Sequence, residues 1–230
     1  MERVINSMLL MVLLFRSISG EVHVIFTSAL IKDCFEERKE EYLKSIQRLR
    51  SYGKDPWIIE ATNVNHSFFD RISSRVLYPQ VHDSTYKNKG CNELLSMRAA
   101  ANQLPFEEED VVIKITGRYF LYRPDFIKTI MDQPEYDVYV KQWPKKGMTA
   151  NPILQRDVRE TIFTGCFAMK WRHFKDMLDS INEKNLEKEM KCIEEAVAEY
   201  IQERQLNMLA VEKIFMVAKI FGFGGELWRL

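Results

Sequence analysis

The chain has 230 residues, 46% of them apolar and 29% charged, enough for one sizeable core and unlike a disordered or fibrous composition. Its formal net charge is zero, which excludes a global field drawing in nucleic acid or an anionic membrane. An anion site must therefore be local. The four cysteines, Cys34, Cys91, Cys166 and Cys192, form no C-x-x-C pair and the histidines are not clustered, so a zinc site is not expected. An even count permits disulfides in an exported protein, with three full pairings open, although Cys166 lies in an apolar strand and reads as a buried thiol.

The N-terminus departs from the average. Arg3 precedes the apolar run Met8 to Phe15, and small residues surround Ser19 and Gly20. Residues 1–20 read as a signal peptide, with a buried strand or helix as the alternative, and the run is too short to cross a bilayer. Export into a secretory lumen follows from the signal reading, a cytoplasmic protein from the other, with residues 21–230 as a single domain. Asn65-His66-Ser67 is a glycosylation sequon that matters only in a eukaryotic secretory pathway.

Val22 to Leu30 reads as a buried strand ending in Thr27-Ser28, followed by a helix that Asp33 and Glu36 start and Gly53 stops. Pro56 to Glu60 is a second strand, and this β-α-β opening favours a parallel sheet with right-handed crossovers. Val76 to Tyr78 is a short strand and Asp83 to Gly90 a turn-rich loop. Cys91 to Leu104 follows as a helix with Leu94, Leu95, Met97 and Ala101 inward.

Residues 107–126 form the centre of the chain. Val111 to Ile115 is an apolar strand, Gly117 closes it, and Pro124 opens an amphipathic helix. Period two puts Lys114, Thr116 and Arg118 on one face. Two cations on a buried strand need a partner, because an unpaired buried charge is costly. A structural carboxylate or a bound phosphate would satisfy them, and for Arg118 that carboxylate could be Glu93 or Asp125. Beyond lie a strand at 136–140, a long loop at 143–160, a strand at 161–170, a helix from Trp171 to Ile181, another carrying Leu186, Met190, Ile193, Val197, Tyr200 and Ile201, and a final strand at 213–223 bounded by Gly222, Gly224 and Gly225. No P-loop, dinucleotide fingerprint, nucleophile elbow or H-E-x-x-H motif is present.

Asn88-Lys89-Gly90, a helix, an acidic turn and a strand ending in Lys114-Ile115-Thr116-Gly117-Arg118-Tyr119 resemble the core of GT-A glycosyltransferases, and most closely the small bacterial and large-virus type with K-x-[ST]-G-R-Y. The resemblance implies an α/β fold: one GT-A-like, Rossmann-related domain with a mostly parallel central sheet flanked by helices. It also implies hexosyl or pentosyl transfer from a nucleotide-sugar donor to a glycan, lipid or protein acceptor. A non-catalytic domain that binds a nucleotide or glycan is the alternative, and a nucleotidyl transferase a further one.

Metal-dependent relatives carry Asp-x-Asp where this chain has Thr116-Gly117-Arg118. Thr and Gly offer no carboxylate to a hard cation, and a guanidinium suits two phosphate oxygens. No metal or other cofactor is therefore expected. Arg118 is placed against the diphosphate, aided by Lys114 or Lys89, with Thr116 and Gly117 beside it. Thr27 and Ser28 would contact the nucleoside, and Asn88, Lys89 and Gly90 would present backbone N–H groups, or merely form a turn and helix start. Glu194 is the candidate base because it flanks the apolar stripe of its helix, whereas Glu195 points outward. Asp157 and Glu160 are alternative bases. Tyr119 and Tyr122 could stack on a base or sugar, or simply pack.

Overall fold

The structure, a computed structural model, describes residues 20–30, 35–62, 64–141, 162–189, 191–219 and 227–229. The expectations for residues 1–19, for Asp33 and Cys34 at the first helix start, for the 143–160 loop with Asp157 and Glu160, and for Gly222, Gly224 and Gly225 lie outside these residues.

Seven strands form the main sheet: β1 (Val22–Ser28), β2 (Trp57–Glu60), β3 (Val76–Leu77), β4 (Val111–Thr116), β6 (Val138–Val140), β7 (Cys166–Lys170) and β8 (Met208–Ala210), with β5 (Phe120–Leu121) outside it. Their order is β3-β2-β1-β4-β7-β6-β8. Pairings β1–β2, β2–β3, β1–β4 and β6–β8 are parallel, and β7 runs antiparallel between β4 and β6. The mostly parallel sheet matches the expectation. Among the described residues, six α-helices flank it: α1 (Phe35–Ser51), α2 (Lys89–Ala101), α3 (Asp125–Asp132), α4 (Trp171–Ser180), α5 (Glu183–Glu189) and α6 (Ile193–Glu203).

Strand alternation sorts the core into two layers. Ile25, Ile59, Val112, Phe167 and Met169 pack with Leu94, Met97, Phe174, Val197 and Tyr200 on the side of α2, α4 and α6. Val24, Phe26, Ile58, Ile113 and Ile115 pack with Tyr42, Ile46, Leu49, Phe126 and Ile130 on the side of α1 and α3. Helix α1 holds its place with Glu36 and Glu37 in its first turn and Arg48 and Arg50 in its last, matching its dipole. Gly53 then ends it at φ 74°, the left-handed geometry that glycine adopts without strain.

The chain builds β1, β2 and β3 outward in one direction and then returns to add β4 on the other side of β1. Strand order therefore reverses between β1 and β4. Open α/β sheets bind ligands in the crevice at such a switch point, outside the carboxyl ends of the strands. Here that crevice lies between Thr27-Ser28 and Thr116, which are in register across the pair at Thr27 and Thr116.

Three details differ from the sequence reading. The segment from Leu186 to Ile201 is two helices, not one, because Asn88 Nδ2 takes the carbonyl of Lys191 at 2.7 Å while the Glu195 carboxylate receives the Cys192 amide. Within 213–223 the strand is β9 (Met216–Lys219), and it leaves the main sheet to pair with β5 and with β10 (Leu227–Arg229). Strands β5, β8 and β10 are too short to leave a periodic signature, and the sequence reading passes over them.

Gly117 is where the two central strands pinch together. Its amide donates to the Thr27 carbonyl at 2.7 Å, and a Cβ there would lie 2.7 Å from that oxygen, 2.8 Å from Tyr42 Cε1 and 2.9 Å from Phe26 Cε1. Tyr42 and Phe26 are buried core residues that cannot swing away. Gly117→Ala is expected to lower unfolding free energy by about 1–3 kcal/mol, the usual range for overpacking, as read from the urea midpoint at unchanged slope.

Candidate functional site at the carboxyl end of β1 and β4

Lys114 lies between Ile25 on β1 and Phe167 on β7 in the sheet register. Its neighbours on that row are apolar, and its side chain is 2% exposed. The alkyl stem runs along the apolar row and delivers the ammonium to the strand end, the usual solution for a buried lysine. There it meets Glu93 Oε1 at 2.8 Å, Thr116 Oγ1 at 2.8 Å and the Thr164 carbonyl at 3.0 Å. Of the two partners weighed from sequence, Lys114 has the structural carboxylate, Glu93 on α2.

Glu93 Oε1 also accepts the Thr27 hydroxyl at 2.7 Å. Burial would raise the Glu93 carboxyl, but the charge and hydrogen bond of Lys114, the Thr27 hydroxyl and the nearby charge of Arg118 outweigh it, so its pKa lies below the ordinary value. The buried Thr164 continues the chain of contacts by donating its hydroxyl to Glu194 Oε1 on α6 at 2.7 Å. Five of the expected residues, Thr27, Lys114, Thr116, Glu194 and Arg118, thus converge with Glu93 and Thr164 at one edge of the sheet.

Arg118 follows the pinch at Gly117, half-buried, with its guanidinium 5.8 Å from the centre of the Tyr119 ring. The segment that carries it is fastened to α1: Ser45 donates to the Tyr119 carbonyl at 2.7 Å and Tyr52 to the Leu121 carbonyl at 3.3 Å. Asp125, the other carboxylate considered for Arg118, is instead held by both sides of the Arg123 guanidinium, at 2.8 and 2.9 Å. Tyr119 stacks on Phe163 at 5.8 Å. A Cβ on Gly165 would collide with both rings, so this stack depends on glycine. Burial raises the Tyr119 phenol, Arg118 opposes that rise, and Glu93 and Glu194 add to it, which places the ring within the field of all three groups. Tyr122 makes an edge contact with Phe215.

The other expected residues are engaged differently. Ser28 donates to Glu60 Oε2 at 2.5 Å. Glu60, buried at the end of β2, also accepts the Leu30 and Thr62 amides and the Thr62 hydroxyl. It therefore ties the ends of β1 and β2 together. Asn88 caps α2 by accepting the Gly90 amide at 3.0 Å, and its own amide and that of Lys87 go to the Glu187 carboxylate. Lys89 is exposed at the first position of α2. Glu195 caps the Cys192 amide. Cys166 is a buried free thiol whose pKa burial pushes up to about 12 against the charge of Lys114.

Glu60 and Thr164 are polar residues at this edge of the sheet that sequence reasoning missed. Each is a single polar residue at the border of an apolar run, Trp57-Ile58-Ile59-Glu60 and Phe163-Thr164-Gly165-Cys166, and that border was the available signal.

No protein-family model matches the sequence, and no curated protein matches it either. Solved structures do. The 2-C-methyl-D-erythritol 4-phosphate cytidylyltransferase of Francisella tularensis aligns over 84% of this chain and 90% of its own at 15% identity, with a TM-score of 0.52. The chain has the GT-A, Rossmann-like fold. A glycosyltransferase involved in glycosylation of the major capsid of PBCV-1 aligns over 84% of this chain and 81% of its own at 11% identity and TM-score 0.47. The galactosyltransferase LgtC aligns over 80% and 65% at 7% identity and TM-score 0.42.

In the metal-dependent glycosyltransferases that the sequence resembles, the matching strand end carries the Asp-x-Asp carboxylates. The side chains here are Lys114, Thr116 and Arg118, with Glu93 Oε1 shared between Lys114 and Thr27. A hard cation requires several anionic or carbonyl oxygens, and an ammonium and a guanidinium in the same place repel it. Among the described residues, no group of three or more His, Cys, Asp or Glu side chains stands together as a metal would need. Among the described residues, no helix is long and apolar enough to cross a membrane. A cavity of about 310 Å³ lies at the opposite pole of the sheet, lined by Glu21, Lys54, Glu109 and Lys170 among others, and holds none of the expected site residues.

Removing the Glu93 charge strands a buried ammonium. Glu93→Gln is expected to destabilise the fold by about 3–5 kcal/mol, the range for breaking one side of a buried pair. Because the folded-state pKa of Glu93 is depressed, its contribution is fully present above the unfolded value of about 4.3 and is lost as pH falls through the folded pKa. The difference between wild type and Glu93→Gln in urea unfolding should therefore shrink on acidification below about pH 4.3.

Proposed function

We propose that the chain is a glycosyltransferase that moves a sugar from a nucleotide-sugar donor to a glycan, lipid or protein acceptor without a divalent metal. The observation that carries this reading is the pair of cations, Lys114 and Arg118, fixed at the β1–β4 switch point, where the metal-dependent glycosyltransferases that the sequence resembles carry the Asp-x-Asp carboxylates. The fold and the position favour a nucleotide in the crevice. A diphosphate leaving group develops charge as the anomeric C–O bond breaks, and a preorganised cation stabilises that charge. Arg118 presents the planar, multi-donor group suited to two phosphate oxygens.

In this reading Glu194 accepts the proton of the acceptor hydroxyl as its oxygen attacks the anomeric carbon, and the nucleoside diphosphate departs against Arg118. A carboxylate offers about four lone-pair positions. The bond from Thr164 to Oε1 orients the group and leaves capacity for the proton. Thr27 and Ser28 have committed their hydroxyl protons to Glu93 and Glu60, so they can serve a nucleoside only as acceptors.

Turnover of a panel of sugar nucleotides, measured with and without chelator, tests the proposal; donor hydrolysis that disappears with chelator would overturn metal independence. Binding without turnover would assign the non-catalytic alternative, and consumption of nucleoside triphosphates would assign nucleotidyl transfer. Arg118→Ala is expected to weaken nucleoside-diphosphate binding by about tenfold or more, as lost charge-assisted bonds do, while the circular dichroism spectrum stays in place. Glu194→Gln is expected to keep donor affinity and lose transfer, and unchanged transfer would remove Glu194 from the role of base.

A further inference from the structure

An ammonium has three N–H donors, and Lys114 has three acceptors within 3.0 Å: Glu93 Oε1, Thr116 Oγ1 and the Thr164 carbonyl. Its protons are all engaged inside the protein, and its side chain is almost wholly buried. A phosphate could meet its charge through space but would have to displace an internal partner to touch it. The three acceptors belong to α2, to β4 and to the turn before β7, and Thr164 carries the connection to α6 through Glu194.

We propose that Lys114 is a positioning residue: it ties the two carboxylate-bearing helices to β4, α2 through Glu93 and α6 through Thr164 and Glu194, and leaves Arg118 as the group that touches the leaving phosphate. The inference rests on the proposed roles of Arg118 and Glu194, and it makes Thr164 the residue that sets the orientation of the base. The helices α2 and α6 both pack on the same face of the sheet, and the Lys114 ammonium lies at the edge between them. The pair of Lys114 and Glu93 is neutral as a unit, so its removal changes the charge facing a ligand very little.

The charged and titratable groups around the two carboxylates are specific. Glu93 faces Lys114, Arg118 and the Thr27 hydroxyl. Glu194 faces the Thr164 hydroxyl and Tyr119 across the site, and Cys192 on its own helix. A change confined to Thr164 should therefore move Glu194 and leave Glu93 alone.

The experiment is carboxyl NMR of the full, unliganded chain, titrating Glu93 and recording the carboxyl carbon chemical shift of Glu194, combined with calorimetric binding of UDP, CDP and GDP. Lys114→Met is expected to raise the Glu93 midpoint, because burial then acts without its cation, and to move the carboxyl carbon chemical shift of Glu194 as well. Thr164→Val should shift Glu194 only, and Thr164→Ser should restore the wild-type value. Affinity for the nucleoside diphosphate that binds wild type should change by less than about threefold in the double variant Glu93→Gln with Lys114→Met, which removes the pair as a unit, against the tenfold or greater loss of a direct ionic contact.

A Glu194 chemical shift that is unmoved in both Lys114→Met and Thr164→Val would overturn the inference, as would a tenfold affinity loss in the double variant with Glu194 unmoved. If Lys114→Met does not fold, the double variant Glu93→Gln with Lys114→Met removes both charges together, and its Glu194 chemical shift decides the matter. Failure of all three nucleotides to bind wild type would count against the proposed function, while the NMR measurements would still decide the positioning role.

Discussion

The buried ammonium of Lys114 constrains everything around the switch point. A charge at this depth persists only when its full set of donors is matched, and here the matching groups come from three separate elements. Strand β4 must therefore keep its register with β1 and β7 to the residue, since a one-residue slip would turn Lys114 into the opposite core layer among Phe26, Ile46 and Ile115. Helix α2 must start where Asn88 caps it, so that Glu93 arrives at the strand end. The cap, the register and the ion pair are one arrangement.

The same constraint explains the geometry of the segment after β4. Gly117 brings the chain against the Thr27 carbonyl, and Ser45 and Tyr52 on α1 take the carbonyls of Tyr119 and Leu121. Arg118 thereby projects from a backbone fixed on both sides. On the far flank, the Gly165 turn admits the Tyr119–Phe163 stack and presents Thr164 to both Lys114 and Glu194. Two glycines thus hold the cationic strand end and the carboxylate of α6 in one rigid frame, which is what preorganised stabilisation of a developing charge requires.

Similarity to the cytidylyltransferase at 15% identity is a statement about backbone path. One fold hosts many reactions, and function follows from the groups grafted onto it. The distinguishing grafts here are Thr116-Gly117-Arg118 at the end of β4, the buried Glu93–Lys114 pair beneath them, and Glu194 held by Thr164. In the proposed function, they take the place of carboxylates around a cation.

Several features were legible from the chain alone, because they depend on local pattern. The β-α-β opening, the apolar runs of β1 and β4, the helix after Pro124 and the buried thiol of Cys166 follow from periodicity and turn chemistry. The need of Lys114 for a partner followed from the cost of a buried charge. Which partner it found could not follow, since Glu93 lies 21 positions away on a helix whose packing face only the assembled core decides. The union of Thr164 with Glu194, the burial of Glu60 under Ser28 and Thr62, the break before α6 and the departure of β9 into a second sheet are likewise products of long-range contact. Sequence determined which residues had to be satisfied; tertiary structure decided by whom, because hydrogen bonds and ion pairs act over about 3 Å in space irrespective of separation along the chain.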